Sequence, residues 1–314
     1  MNLYHLRVFL TVAEHEHITR ASEELILSQP AVTKIIQNLE HEIGFELIER
    51  HGRRIVLTHA GHMLHNYARR MFALEREMEE ALAALRDIES GEITLAANTT
   101  TGVYLLPPIV SRFRARYPQV ALHINILNSH EIVERILNWN LDFGLVESDP
   151  VTLPSGLQVE VFAYDELVLV VSPGHHWSGL EALRPEALRN GELVLREQGS
   201  GIREVIEHAL LQQGVQIIPL LTLPDNEAMK QMVMSGVGGA ILSKLAVQRE
   251  LAAGDLVRVP IIGLDLHPQL SLIQRADKQL SRAALAFCAL LKQARENISE
   301  LHRLSGQDED AWQA

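Results

Sequence analysis

A polar helix face and two hydroxyl-rich loops hold the residues of this chain whose types and spacing could do chemistry. Gln29, Thr33, Lys34, Gln37 and Asn38 recur at helical spacing, with Ser28 and Pro30 at the start of the same helix. Carboxamides can be bidentate toward adenine, a lysine reaches guanine or phosphate, and a threonine methyl meets a thymine methyl. Such a face suits base edges in a major groove, the alternative being the solvated side of an ordinary amphipathic helix. The first loop is Asn98-Thr99-Thr100-Thr101-Gly102, after the apolar run EITLAA. The second is Gln198-Gly199-Ser200-Gly201-Ile202-Arg203, after ELVLRE. Each lies between a strand pattern and a helix pattern, where exposed N–H groups and the helix dipole favour an anion. Thr100, Ser200 and Arg203 would add hydrogen bonds and charge, and Ser129 opens a third helix nearby. Gly236, Gly238 and Gly239 would let backbone approach the same cleft. Simple N-capping is the plainer reading of any one loop. Glu147, at the end of FGLVES, would repel an anion and would instead hold an amine or pair with Arg203.

Other chemistries lack their residues. There is no GxxxxGK, HExxH or GxSxG, and no acid, base and nucleophile are grouped. His15-Glu16-His17, His62 with His65, and His175-His176 show no third metal ligand at useful spacing, so they read as solvated or capping histidines. His175 and His176 follow Pro173-Gly174, a surface turn. No metal, cofactor or catalytic residue is expected.

Helices must position the polar face. Residues 2–14 suit a first helix, with Leu3, Leu6, Phe9, Leu10 and Ala13 on one side. Thr19 can cap a second through Ala21, Ser22 and Leu25, with Ile26 and Leu27 as the turn. Ser28 caps the third, Pro30 sits in its first turn, and Val32, Ile35, Ile36, Leu39 and Ile43 form its apolar side. FELIER and IVLT then pair as a hairpin turned at His51-Gly52. Arg50, Arg53 and Arg54 cluster there, placed to meet a phosphate backbone or a minor groove. Residues 1–58 hold six Lys/Arg against eight Asp/Glu, so any positive potential is local.

TRASEEL followed by LSQPAVTKIIQNLEHEIGFELIER, continuing through RRIVLTHAG, resembles the winged helix-turn-helix of the LysR-type transcriptional regulators. The resemblance is specific over roughly the first ninety residues and fainter beyond. Glu16-His17 stands where the family usually has Gly-Ser, and Ala21-Ser22 where it usually has two alanines. The resemblance implies double-stranded DNA as a partner and an effector domain like a periplasmic binding protein. It also implies that the two loops line an inducer pocket. The string GSGIRE resembles the branch that senses small acids or phosphorylated metabolites.

Thr58 can cap a long helix over 59–89, about 45 Å at 1.5 Å per residue. Leu64, Met71, Met78 and Leu85 fall seven apart, as do Tyr67, Leu74, Ala81 and Ile88, which reads as one heptad seam. A second copy of the chain is the expected partner, giving a homodimer whose two-fold axis suits a palindromic site. A homotetramer, and RNA polymerase as a further partner, follow from the resemblance alone.

Beyond Gly91 short apolar runs alternate with helix patterns in βαβ order, implying parallel sheets covered by helices. The fold class is therefore α/β, with an N-terminal winged helix-turn-helix and a long linker helix. Expected boundaries are 1–58 for the reading head, 59–90 for the linker and 91–304 for an effector domain of two subdomains. Subdomain I takes about 91–163 and 268–304, and subdomain II about 164–267. The first crossover lies near Phe162–Asp165; the second, near Leu264–Pro268, is what the resemblance implies; and 305–314 is a polar tail. The 314 residues are 47% hydrophobic and 22% charged, the net charge is −12, and Cys288 is the single cysteine. A globular, cytoplasmic protein without membrane span or disulfide is expected.

Overall fold

The computed structural model describes residues 2–51, 54–83, 91–148, 153–264 and 266–304. They form two compact units, divided between Leu82 and Ala83.

In the first unit, α1 (Leu3–His15), α2 (Ile18–Glu24) and α3 (Gln29–Ile43) pack into a trihelical head. Its core joins Leu6, Phe9 and Val12 of α1 to Val32, Ile36 and Leu39 of α3. Burying each such side chain fully stabilises the fold by about 1.5–3 kcal/mol. Leu3, expected in this core, is half exposed because it precedes the first packed turn. Ser28 caps α3 through the Ala31 amide as expected. Thr19 does not cap α2; the Nδ1 of His17 accepts from the Thr19 amide instead. Strands β1 (Ile48–His51) and β2 (Arg54–Leu57) pair antiparallel as the expected hairpin. Gly52, Arg53 and the Arg50 side chain lie outside the described residues.

Thr58 accepts from the Gly61 amide and caps α4 (His59–Ala83), a 25-residue helix as far as it is described. The single heptad seam needs correction. Leu64 and Met71 join Ala68 and Phe72 in packing on the head's own core. Tyr67, Leu74, Met78 and Leu82 lie exposed. The first series therefore divides: Leu64 and Met71 face the head, while Met78 is exposed alongside Tyr67 and Leu74 of the second. Leu85 and Ile88, with the end of the helix, lie outside the described residues, as does the side chain of Ala81. Gly61 sits where a Cβ would meet the Leu47 carbonyl oxygen at 2.0 Å. Gly61→Ala is expected to cost the head about 1–3 kcal/mol, read as a lower Tm by calorimetry, with an unchanged Tm refuting the close approach.

The second unit contains two five-stranded sheets. In subdomain I, β3 (Gly91–Ala97), β4 (Val120–Ile126) and β5 (Phe143–Ser148) are parallel, with α5 (Leu106–Arg116) and α6 (Ser129–Leu137) as crossovers. A π-helical turn, Thr101–Leu105, leads into α5, whose first turn holds Pro107 and Pro108. Strand β6 (Leu157–Tyr164) was not expected; half its residues face water, which hides its alternation. Subdomain II holds β7 (Leu167–Val171), β8 (Leu193–Arg196), α7 (Gly201–Gln212), β9 (Leu221–Leu223), α8 (Asn226–Met234), β10 (Gly239–Ser243), α9 (Lys244–Ala253) and β11 (Val257–Arg258). The chain then returns to subdomain I as β12 (Gln269–Arg275) and α10 (Arg282–Leu304). Both sheets are mixed rather than parallel. Returning strand β12 runs antiparallel to β5 and β6, and β7 runs antiparallel to β10 and β11. The crossovers lie side by side, the Asp165 amide donating to Pro268 and the Leu167 amide to Leu266. α7 covers one face of sheet II, while α8 and α9 cover the other. In subdomain I, Phe113 of α5 and Phe143 of β5 both pack on Phe287 of α10.

Candidate functional site

On the head, Gln29, Lys34, Gln37 and Asn38 are exposed along α3, and Thr33 is half-buried among them. A groove of about 440 Å³ runs between this face and the hairpin, lined by Thr33, Gln37, Glu40, Glu49 and His51 among others. Glu40 accepts from the Leu47 and Ile48 amides, fixing the start of the hairpin to α3. Arg54, expected to be free for phosphate, donates from Nε and Nη2 to Glu16, at 2.9 and 2.6 Å. Both side chains are exposed, and such a pair is worth at most about 1 kcal/mol.

In the second unit, strands β3, β5 and β8 end together, where open α/β sheets take ligands. Asn98 organises the first loop: its Oδ1 accepts from the Thr101 amide and its Nδ2 donates to Glu147 at 3.2 Å. Thr100 and Thr101 are fully buried, while Thr99 reaches across to subdomain II. The second loop meets the first subdomain directly, the His130 amide donating to the Gly199 carbonyl. Gly199 has φ +85°, and a Cβ on Gly201 would lie 1.7 Å from the Glu147 carbonyl oxygen. Ser200 is buried and precedes α7 without a side-chain cap bond. The two loops therefore do come together.

Five expected contributors point elsewhere. Arg203 donates to Glu207 and to the Arg196 carbonyl, so it supplies no charge to Glu147. Ile202 belongs to the core of subdomain II, beside Leu195 and Ile206. Ser129 spends its hydroxyl on the Glu147 carbonyl oxygen. Gly238 and Gly239 make room for the Glu192 carbonyl and for Trp177 rather than for the cleft. Glu147 itself is fully buried. Burial, then the charge of Asp165 and a hydrogen bond to it, pushes its pKa well above the usual carboxylate range; Thr100 and Asn98 oppose this.

The cleft holds two buried cations that sequence reasoning missed. Arg196, at the end of β8, grips Glu197 with Nε and Nη2, donates to Asn226 from Nη1, and extends Nη2 to the Thr99 hydroxyl at 3.4 Å. Lys230 of α8 binds Glu250 at 2.6 Å, Glu227 at 2.8 Å and Tyr104 of subdomain I. Burial works to lower its pKa, but the hydrogen bonds it donates to Glu227 and Glu250 prevail and raise it to about 12. The strand end ELVLRE marked Arg196; nothing in the helix pattern marked Lys230 as buried.

One group of three metal-capable side chains gathers among the described residues: His175, His176 and Glu192. Glu192 is the third metal-capable side chain that sequence spacing did not show, and the Trp177 amide donates to Nδ1 of His175.

Residues 3–62 match the bacterial regulatory helix-turn-helix protein family of lysR type, and residues 86–296 match the LysR substrate binding domain. The chain belongs to the LysR family of transcriptional regulators. The RuBisCO operon transcriptional regulator of Allochromatium vinosum is 35% identical over 287 residues, covering 91% of this chain and 94% of that one. Full-length CbnR, solved with its target DNA, is 26% identical with a TM-score of 0.65, over 94% of this chain and 100% of that one. The CcmR regulatory domain of Synechocystis, solved with 2-PG, is 26% identical with a TM-score of 0.60, over 66% and 99%. As a LysR regulator the chain is a DNA-binding transcription factor with an effector-binding domain, and it is not an enzyme.

Proposed function

We propose that this LysR regulator reads DNA through Ser28, Gln29, Pro30, Thr33, Lys34 and Gln37 of α3, with Arg50, Arg53 and Arg54 of the hairpin on phosphate. The exposure of the α3 face supports the first set. Arg54 joins the second when a phosphate displaces its weak exposed pairing with Glu16. Residues 1–58 are the reading head, 59–90 the linker through which two copies pair, and 91–304 the effector domain. A homotetramer and a contact to RNA polymerase complete the assembly, in the cytoplasm.

The effector is a small organic anion held at Thr99, Thr100, Thr101, Gly199, Ser200 and Gly201. The observation that carries this reading is Arg196, whose guanidinium reaches from subdomain II to Thr99 at the meeting of two helix N-termini. A phosphorylated two-carbon acid, 2-phosphoglycolate, is the first compound to try, since the CcmR domain was solved with 2-PG. A gel shift on the DNA upstream of the gene it regulates, titrated with 2-phosphoglycolate and related acids, tests both halves. A mobility or footprint change at low anion concentration is expected. No binding to that DNA rejects the head assignment, and binding indifferent to every acid rejects the anion.

Gln29→Ala is expected to cost about 1–3 kcal/mol on the specific site and little on random DNA. Equal loss on both would show that Gln29 reads no base.

A further inference from the structure

Two segments of subdomain II bring three ligand-capable side chains to one point. His175 and His176 lie in the turn that follows β7, and Glu192 immediately precedes β8. Nε2 of His175 is 3.7 Å, and Nε2 of His176 3.4 Å, from the same carboxylate oxygen of Glu192.

These separations exceed those of good N–H···O hydrogen bonds, about 2.7–3.2 Å. They fit the edges of a coordination tetrahedron instead. Bonds from zinc to nitrogen or oxygen are about 2.0–2.2 Å, and a tetrahedral angle then sets two ligand atoms about 3.3–3.6 Å apart. The third edge, between the two imidazoles, is at most 4.8 Å and closes by rotation of the His176 ring. That side chain is 64% exposed and Glu192 33%, so an ion can enter from solvent and water can complete its shell.

The backbone holds both segments in register. The Glu192 carbonyl accepts from the Gly239 amide, and a Cβ on Gly238 would lie 2.4 Å from it. Trp177 packs its ring on Gly239, where a Cβ would come within 3.1 Å. Gly238-Gly239 thus seats the turn and the strand against the same point of β10. Within the turn, the His175 amide donates to the Ser172 carbonyl and the Ser178 amide to the His175 carbonyl. Nδ1 of His175 accepts from the Trp177 amide at 3.2 Å, which leaves Nε2 facing Glu192. Ligation at Nε2 puts the ring proton on Nδ1 and exchanges that long hydrogen bond for a coordinate one.

The donor set selects the ion. Two imidazoles and a carboxylate suit zinc and its transition-metal neighbours, whereas magnesium and calcium take oxygen shells.

We propose that His175, His176 and Glu192 bind one divalent transition-metal ion of zinc's class, which ties the turn after β7 to the start of β8. This site is separate from the effector cleft. Glu192 precedes the first residue of β8 and Arg196 is the last, so the metal and the anion occupy opposite ends of one strand.

The test is calorimetric titration of the chelator-treated full chain with zinc chloride near neutral pH, together with its unfolding curve. His176→Asn and Glu192→Gln are the variants, because both side chains reach solvent and the turn is held without them. One zinc ion per native chain is expected. Losing an outer-shell partner typically weakens a metal site about 10–100-fold, so losing a ligand should weaken this one at least about tenfold. At zinc a hundred times the native dissociation constant, the unfolding constant should fall about a hundredfold in the native protein and by at most about tenfold in either variant. Magnesium should have no such effect. His15→Asn and His62→Asn, in the chain's other histidine pairs, should bind zinc as the native protein does. No zinc binding by the native chain, or native-like binding in either His176→Asn or Glu192→Gln, overturns the site. Loss of the ion in His15→Asn or His62→Asn places it elsewhere and overturns the site equally. Neither effector nor DNA enters these measurements, so failure of the anion reading and failure of the metal site are separate results.

Discussion

Leu74→Glu combined with Met78→Glu should abolish association between copies and, with it, tight binding to a two-fold DNA site. Tyr67, Leu74, Met78 and Leu82 form an exposed apolar stripe on α4, each more than half accessible. Burying one leucine or methionine stabilises by about 1.5–3 kcal/mol, and a two-fold interface counts every residue twice. Two buried, unpaired glutamates per chain reverse the sign of that contribution. Sedimentation should show monomers at concentrations where the native chain is associated. The control lies in the same helix. Leu64, Ala68, Met71 and Phe72 face the head's core, and none is altered, so the head should keep its helicity and Tm. An associated double variant that still binds a palindrome would remove α4 from the interface. A monomer with a melted head would mean that the stripe belongs to the fold.

Legibility in the sequence followed the reach of the interactions. Short-range devices could be read directly: Ser28 as a cap, Thr58 as a cap, the hairpin, and the parallel βαβ order of β3, β4 and β5. Each depends on residues close in sequence or on one repeating period. Direction within a face could not be read. Leu64 and Tyr67 lie three residues apart, and only the packed head decides which meets a core. Strand β6 escaped because half of it is wet, and the mixed character of both sheets because antiparallel return needs the whole topology. At the cleft the loops were legible from glycine and hydroxyl content, whereas the side-chain assignments around them were not. Arg203 looked free because Glu207, one helical turn on, was not counted against it. Asp165 was invisible as a partner of Glu147, since nothing local tells a crossover aspartate that it will be buried beside an acid.

Arg196→Ala should lose both stability of subdomain II and response to the effector. The guanidinium is 5% exposed and serves Glu197, Asn226 and Thr99 together. Removing it leaves the carboxamide oxygen of Asn226, itself buried, without its donor, and leaves Glu197 as an unmatched acid at the strand end. Glu197 keeps about a quarter of its side chain in water, which lowers the penalty; about 2–4 kcal/mol is expected. Urea unfolding followed through Trp177, buried in the same subdomain, reads this loss. Arg196→Lys separates the two roles. It keeps the positive charge but cannot span Glu197, Asn226 and Thr99 with one planar fork. If the arginine only braces β8 against α8, lysine should cost stability and leave the effector concentration for half response unchanged. If it also holds the anion, lysine should raise that concentration at least tenfold in a promoter reporter, because bidentate recognition of a carboxylate or phosphate is lost. Full stability and a normal response in Arg196→Ala would exclude both roles and move the anion away from the meeting of the two loops.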